Sequence, residues 1–148
     1  MDQVEQISKR MRLLALAIAA GFFAWQVGDG MARSPQIGSE LTGAAYIASG
    51  IGLGMWVVSL IIFFGQAWQA KKSVGYDVLN DEWAIDVRKR AGETAFWVVT
   101  VGVVLSMTAT NFGADGQLLL KVLTGVSASS FLVASVYFDS RGEGGDEE

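Results

Sequence analysis

Cysteine and histidine are both missing from this chain of 148 residues. Without cysteine there is no disulfide, no thiolate nucleophile and no cysteine-bound metal. Without histidine, the commonest general base and the commonest transition-metal ligand are missing as well. We therefore predict no catalytic, cofactor-binding or metal site, and we expect a protein that is not an enzyme.

Proline is almost missing too, with one residue, whereas glycine occurs 18 times and about half of the residues are apolar. Helices in such a chain are rarely interrupted and have many positions at which two backbones can approach closely. Four apolar stretches divide the sequence, at residues 13–28, 41–68, 91–110 and 117–138. A helix needs roughly 20 apolar residues to cross the hydrocarbon core of about 30 Å. The last three stretches meet or nearly meet this length.

The first stretch is short, but its apolar face continues backwards through Met11, Ile7 and Val4 at helical spacing, so we expect this helix to begin among the headgroups. The sequence thus predicts an all-α, integral membrane four-helix bundle with helices at about 5–28, 41–68, 81–110 and 117–138. Together they form a single domain over residues 1–139.

A cleavable signal peptide is the competing interpretation of the first helix, since Lys9, Arg10 and Arg12 precede an apolar segment at 13–23. The residues that follow lack a clear small-x-small cleavage site. Cleavage would also leave three spans and divide the basic residues between the two sides of the membrane. We therefore expect the first helix to be retained.

The distribution of basic residues predicts the orientation, because cytoplasmic loops carry an excess of lysine and arginine. With four spans, Arg33 and Lys121 fall on one side and the other nine on the opposite side: Lys9, Arg10, Arg12, Lys71, Lys72, Arg88, Lys89, Arg90 and Arg141. Both termini should therefore be cytoplasmic, and the short loops suit a bacterial inner membrane.

The net charge of the whole chain is -4, and residues 139–148 account for it with five acidic residues against Arg141. Residues 140–148 are rich in glycine and glutamate, and we predict a disordered, solvated tail. Nucleic-acid binding is not expected from an acidic chain whose basic cluster lies at the bilayer.

Residues 69–90 form the one substantial soluble segment. Asn80 can cap a helix and Asp81 and Glu82 suit its first turn, so the third helix should begin in the cytoplasm and run unbroken into the membrane. The basic cluster Arg88, Lys89 and Arg90, together with Trp83, fits either anionic lipid headgroups or a docking surface for a cytoplasmic partner.

The same segment resembles one found in small bacterial and archaeal membrane proteins of unknown function, the DUF2178-type group. In that pattern an Asp-Glu pair is followed by an apolar position, a basic residue and Ala-Gly at the start of a membrane helix. An arginine usually follows the acidic pair there, and Trp83 stands in its place here. The resemblance covers about 16 residues and the helix count, and it implies no activity. The matching positions are Asp81, Glu82, Val87, Arg90, Ala91, Gly92 and Phe96.

Small residues mark the predicted contacts between helices. Gly50 and Gly54 form a GxxxG pair in the second helix, and Ala48 and Gly52 belong to a second small ridge. The fourth helix offers Gly125 and Ser129. Packing within one chain and packing between copies both remain open, and two small faces on one helix leave room for both.

Three functional hypotheses follow. The first is a non-enzymatic accessory or regulatory subunit that packs against itself or a larger membrane complex, because the chain has packing faces and no evident ionisable group at mid-membrane. The second is a homo-oligomeric channel or small transporter lined by Thr124, Ser127, Ser130 and Ser135. The third is a lipid-acting enzyme that uses Glu82 and Asp86 at the cytoplasmic face. Membrane lipids and either a second copy or another membrane protein are the expected partners.

Overall fold

Four long helices make up the fold. The computed structural model describes residues 3–74 and 82–142, which form α1 (Gln3–Arg33), α2 (Ser39–Val74), α3 (Glu82–Asn111) and α4 (Gly116–Gly142). Each contains a segment long and apolar enough to cross a membrane: Ser8–Arg33, Ser39–Trp68, Ala84–Asn111 and Gly116–Ser140. The prediction of an all-α chain with four such helices is confirmed.

The helix boundaries differ from those expected in three places. α1 continues past Gly28 to Arg33, and α2 continues past Trp68 to Val74. α1 continues through Gly28 and Gly30. Both glycines face a neighbouring helix at close range, so they serve close packing and do not end the helix. α4 includes the first residues of the predicted tail, whose remainder lies outside the described residues. The predicted start of α3 at Asn80 and Asp81 lies outside them too.

The helices pack in the order α2, α1, α4, α3. α1 lies between α2 and α4, and α4 lies between α1 and α3. Among the described residues, α2 and α3 each pack extensively against one helix only. Neighbours are antiparallel, so the start of α1 and the end of α4 share one end of the fold, which we call the terminal end. The two turns, between α1 and α2 and between α3 and α4, share the other, which we call the turn end.

Small and polar side chains occupy the interior, whereas large apolar side chains face outwards. The buried residues include Ala19, Ala45, Ala91 and Ala134 and the polar Gln26 and Ser49. In contrast, Ile47, Ile51, Ile61 and Phe64 each keep 67% of their surface exposed. In water this arrangement would be costly. In a bilayer, where lipid tails solvate the large side chains and small residues allow helices to approach, it is the expected one.

Residues at the turn end link the two turns to each other. α3 ends in a Schellman motif in which Gly113 adopts φ 85° and the Ala114 amide donates to the Ala109 carbonyl at 3.1 Å. The Gln36 side-chain amide donates to the Gly113 carbonyl at 2.8 Å. This bond holds the α1–α2 turn against the α3–α4 turn.

Asp115 caps α4 and also receives a bond from the other turn. Its Oδ1 accepts from the amide of Gln117 at 2.9 Å. A hydrogen bond donated by the buried Ser34, together with this cap, lowers the pKa of the Asp115 carboxyl below its ordinary value. One carboxylate therefore fixes the start of α4 and ties it to the end of α1.

Candidate functional site

A close backbone-to-backbone contact joins α1 and α2. A β-carbon placed on Gly52 would lie 2.5 Å from the amide nitrogen of Trp25, and one placed on Gly21 would lie 2.7 Å from the amide nitrogen of Trp56. Both distances are shorter than a non-bonded contact between a carbon and a nitrogen atom allows. Gly28 makes a similar contact further along α1, where its β-carbon would lie 2.8 Å from the amide nitrogen of Ser49. These glycines are required for the packing of α1 on α2.

An aromatic cluster lies beside this crossing. Trp25 and Trp56 stack with ring centroids 5.3 Å apart, and Phe22 meets the Trp56 ring at 5.5 Å. Such pairs add about 0.5–1.5 kcal/mol beyond the area they bury. Sequence reasoning missed this cluster, although Phe22, Trp25 and Trp56 stand within a few residues of Gly21 and Gly52.

The contact between α1 and α4 uses the small residues predicted on α4. A β-carbon on Gly125 would lie 3.3 Å from the Phe23 ring and from the Gln26 β-carbon. One turn further on, the Ser129 hydroxyl donates to the Ala19 carbonyl at 2.8 Å. The structure thus places Gly52, Gly125 and Ser129 at contacts inside the fold.

Gly50 and Gly54 lie elsewhere, on a surface that none of the described residues covers. Neither would bring a β-carbon within 4 Å of another atom, and the same is true of Gly43 and Gly65. At about 100° per residue, these four glycines share one side of α2, roughly opposite Gly52. We call this surface the glycine face. It extends over the 23 residues from Gly43 to Gly65, or about 33 Å of helix, which matches the thickness of a bilayer core.

The glycine face has a sequence signal beyond the single GxxxG pair. Gly43, Gly50, Gly54, Ile61 and Gly65 follow one another at intervals of 7, 4, 7 and 4 residues. An eleven-residue repeat stays on one side of a helix with little drift. Ala48, which was predicted to share a ridge with Gly52, lies four residues before it on the same side of α2 and is exposed, whereas Gly52 is buried.

Charged side chains join α1 to α4 near the turn end. Asp29, whose side chain is only 13% exposed, lies 3.0 Å from Nζ of Lys121 and 2.9 Å from Nε of Arg33. Because the predicted first helix ends at residue 28, sequence reasoning did not place Asp29 at a contact between helices, and the pair was missed. In the structure, Lys121 reaches Asp29 from the neighbouring helix.

A second ion pair joins the same two helices at the terminal end. Nε of Arg12 lies 2.6 Å from Oδ2 of Asp139, and the Arg12 side chain is 16% exposed. Beside the pair lies an open cavity of about 280 Å³. All four helices contribute to its lining, including Phe63 from α2 and Val87 and Arg88 from α3.

The predicted basic cluster lies on the first turns of α3. Arg88, Lys89 and Arg90 are all exposed. Arg90 forms an ion pair with Asp86 at 2.7 Å, and Nε of Arg88 donates to the Ala84 carbonyl at 3.0 Å. The side chain of Trp83 lies outside the described residues. Of the cluster, only Arg88 lines the cavity.

The hydroxyl groups that the second hypothesis places in a pore all donate hydrogen bonds to backbone carbonyls of their own helix, α4. Thr124 donates to Leu120, Ser127 to Leu123, Ser130 to Ser127 and Ser135 to Phe131, at 2.6–2.9 Å. α4 is also flanked by a helix on two sides. Among the described residues, no group of three or more carboxylates is placed to hold a metal ion.

The chain is thus defined as a multi-pass α-helical protein with four candidate membrane spans. No family model, no curated protein and no solved structure matches it. The resemblance of residues 81–96 to the DUF2178-type group stays a prediction.

Proposed function

We propose that this chain is a non-enzymatic accessory or regulatory subunit that binds other membrane helices through the glycine face of α2. The observation that carries the proposal is the division of the glycines into two groups. Gly21, Gly28 and Gly52 are buried in backbone contacts, whereas Gly50 and Gly54 meet none of the other described helices. Within the described ranges 3–74 and 82–142, the chain thus packs with one small-residue face of α2 and leaves the other exposed.

The chemistry of the glycine face suits a transmembrane partner. Small residues let two helices approach until their backbones are in van der Waals contact, which supports association where no hydrophobic driving force exists. Ile47, Val58 and Ile61 stand on the same side of α2 and are 56–67% exposed. These exposed apolar side chains give a partner helix further contact surface beside the glycines.

The proposal includes an orientation. With both termini and the basic cluster at the cytoplasmic face of an inner membrane, Arg88, Lys89 and Arg90 face anionic headgroups or a cytoplasmic partner, and α3 extends into the cytoplasm. This follows the excess of basic residues at the terminal end.

The lateral contact is tested with leucine substitutions on the two sides of α2. Gly50→Leu and Gly54→Leu add a side chain to the glycine face, and Ala48→Leu adds one to an exposed position on another side of the same helix. Each variant is purified in a gentle detergent, with co-purifying proteins quantified by mass spectrometry and particle size measured by gel filtration. We expect the wild type and Ala48→Leu to retain a partner that both glycine variants lose, while the monomer stays folded.

The identity of the retained partner separates the subunit from its alternative. A different membrane protein supports the accessory role, whereas recovery of this chain alone as an oligomer favours the homo-oligomer, whose channel activity liposome ion flux then tests. A wild type that purifies only as a monomer contradicts both, as does a partner that all three variants retain.

The orientation is tested by labelling single cysteines, since the chain has none of its own. Ser39→Cys at the turn end and Ser140→Cys at the terminal end are both exposed positions. In intact cells, a membrane-impermeant maleimide should label Ser39→Cys and leave Ser140→Cys unlabelled until the cells are lysed. The reverse pattern contradicts the orientation.

A further inference from the structure

The cavity at the terminal end combines an apolar interior with a charged rim. Met11, Ala15, Phe63, Val87 and Val136 supply the apolar surface. Arg12, Arg88 and Asp139 line it as well, together with the hydroxyl-bearing Ser8 and Ser135. The two guanidinium groups outnumber the one carboxylate, so the lining has a formal charge of +1.

Both guanidinium groups are held in place by the fold. Arg12 contacts Asp139 through Nε and also donates from its terminal nitrogen to the Asp139 carbonyl at 3.4 Å. Nε of Arg88 is anchored on the Ala84 carbonyl. A guanidinium carries five N–H donors in a rigid fork that matches the oxygens of a phosphate. Anchoring such forks lowers the entropy lost when an anion binds.

The boundaries of the candidate spans place the cavity at the level expected for lipid phosphates. Its lining includes Ser8, Ala84 and Asp139, which stand at or next to the ends of three candidate spans. Residues at the ends of membrane spans meet the headgroup region, and the adjoining residues meet acyl chains. A ligand with a phosphate and a hydrocarbon chain would therefore meet charged side chains at its phosphate and apolar side chains along its chain.

We propose that this cavity is a binding site for one anionic phospholipid. The phosphate contacts Arg88 and Arg12, and the upper part of an acyl chain occupies the apolar interior. A free phosphate would leave the apolar part of the cavity empty. A zwitterionic lipid would bring its own ammonium group towards the two arginines, which repel it. The proposal depends on the cavity alone and not on the glycine face.

The test uses the full chain, stripped of lipid in detergent and titrated under native mass spectrometry. Three probes are compared: phosphatidylglycerol, phosphatidylcholine with the same acyl chains, and glycerol 3-phosphate, which has no chains. We expect one phosphatidylglycerol to bind in preference to phosphatidylcholine, and glycerol 3-phosphate to bind far more weakly. Equal binding of the two lipids, or equal binding of glycerol 3-phosphate, overturns the proposal.

Three variants locate the binding. Arg88→Gln should weaken phosphatidylglycerol binding about tenfold, as loss of a charge-assisted contact does, whereas Lys89→Gln removes a neighbouring exposed charge outside the cavity and should have little effect. Ala15→Leu fills the cavity with both arginines intact and should also weaken binding. If Lys89→Gln and Arg88→Gln have equal effects, or if Ala15→Leu has none while it remains folded, the lipid binds to diffuse surface charge and the proposal is wrong.

Discussion

Gly52 and Trp25 are in backbone contact, such that a β-carbon on Gly52 would lie 2.5 Å from the Trp25 amide nitrogen. Gly52→Ala must therefore push α2 away from α1, and we expect a loss of about 1–3 kcal/mol in stability. Gly50→Ala, two residues away in open space, should be neutral or slightly stabilising because alanine favours a helix more than glycine does. Reversible unfolding in mixed micelles measures both. Equal losses in the two variants would show that the α1–α2 contact is not as described.

The two cationic side chains beside Asp29 should contribute unequally to the stability of the fold. The Arg33 side chain is 67% exposed and lies on the same helix as Asp29, whereas Lys121 is 39% exposed and reaches Asp29 from α4. We expect Arg33→Met to lower the free energy of unfolding by less than about 1 kcal/mol. Lys121→Met should lower it by more. A double-mutant cycle with Asp29→Asn should give a coupling above about 0.5 kcal/mol for Lys121. No coupling would mean that the pair does not hold α1 against α4.

Asp115 should make stability depend on pH. Its pKa is lowered in the folded chain by the Ser34 hydroxyl and the Gln117 amide, so the charged carboxylate stabilises the fold. That contribution is complete above the unfolded pKa, near 4, and is lost as pH falls through the lower folded value. We expect Asp115→Asn to lower the melting temperature at pH 7, and we expect its difference from the wild type to shrink as the pH falls through the folded pKa of Asp115. A difference that does not shrink on acidification contradicts this assignment.

The ion pair of Arg12 and Asp139 can be tested by reversing it. Asp139→Arg places two guanidinium groups together beside α1 and should destabilise the chain. Adding Arg12→Asp restores an opposite pair between the same positions. We expect the double variant to regain part of the melting temperature lost by the single one. Failure to regain any would indicate that the α1–α4 packing, and not the charge, dominates there.

Length and apolarity were sufficient to predict four helices, because the bilayer sets a minimum length for a spanning helix. The face on which each helix packs was not predictable in the same way. Positions 50 and 52 are both glycine, and only the position of α1 decides that Gly52 is covered and Gly50 is not.

The polar contacts were missed for a related reason. Asp29 stands between two glycines, a pattern typical of loops. In the structure those glycines allow α2 and α4 to approach α1, and Asp29 is neutralised by a lysine 92 residues further along the sequence. A pairing between distant positions has no local signal in one sequence.

In the part of the chain that the structure describes, the order α2, α1, α4, α3 forms two antiparallel hairpins, α1–α2 and α3–α4, whose main contact is the packing of α1 on α4. The pairs Arg12–Asp139 and Asp29–Lys121 and the Ser129 bond connect them there, and the Gln36 bond connects their turns. Each hairpin is local in sequence and contains two candidate spans, so we expect the final step of folding to be the lateral docking of two inserted halves. The chain should therefore tolerate division between α2 and α3, and two co-expressed fragments should reassemble into one protein.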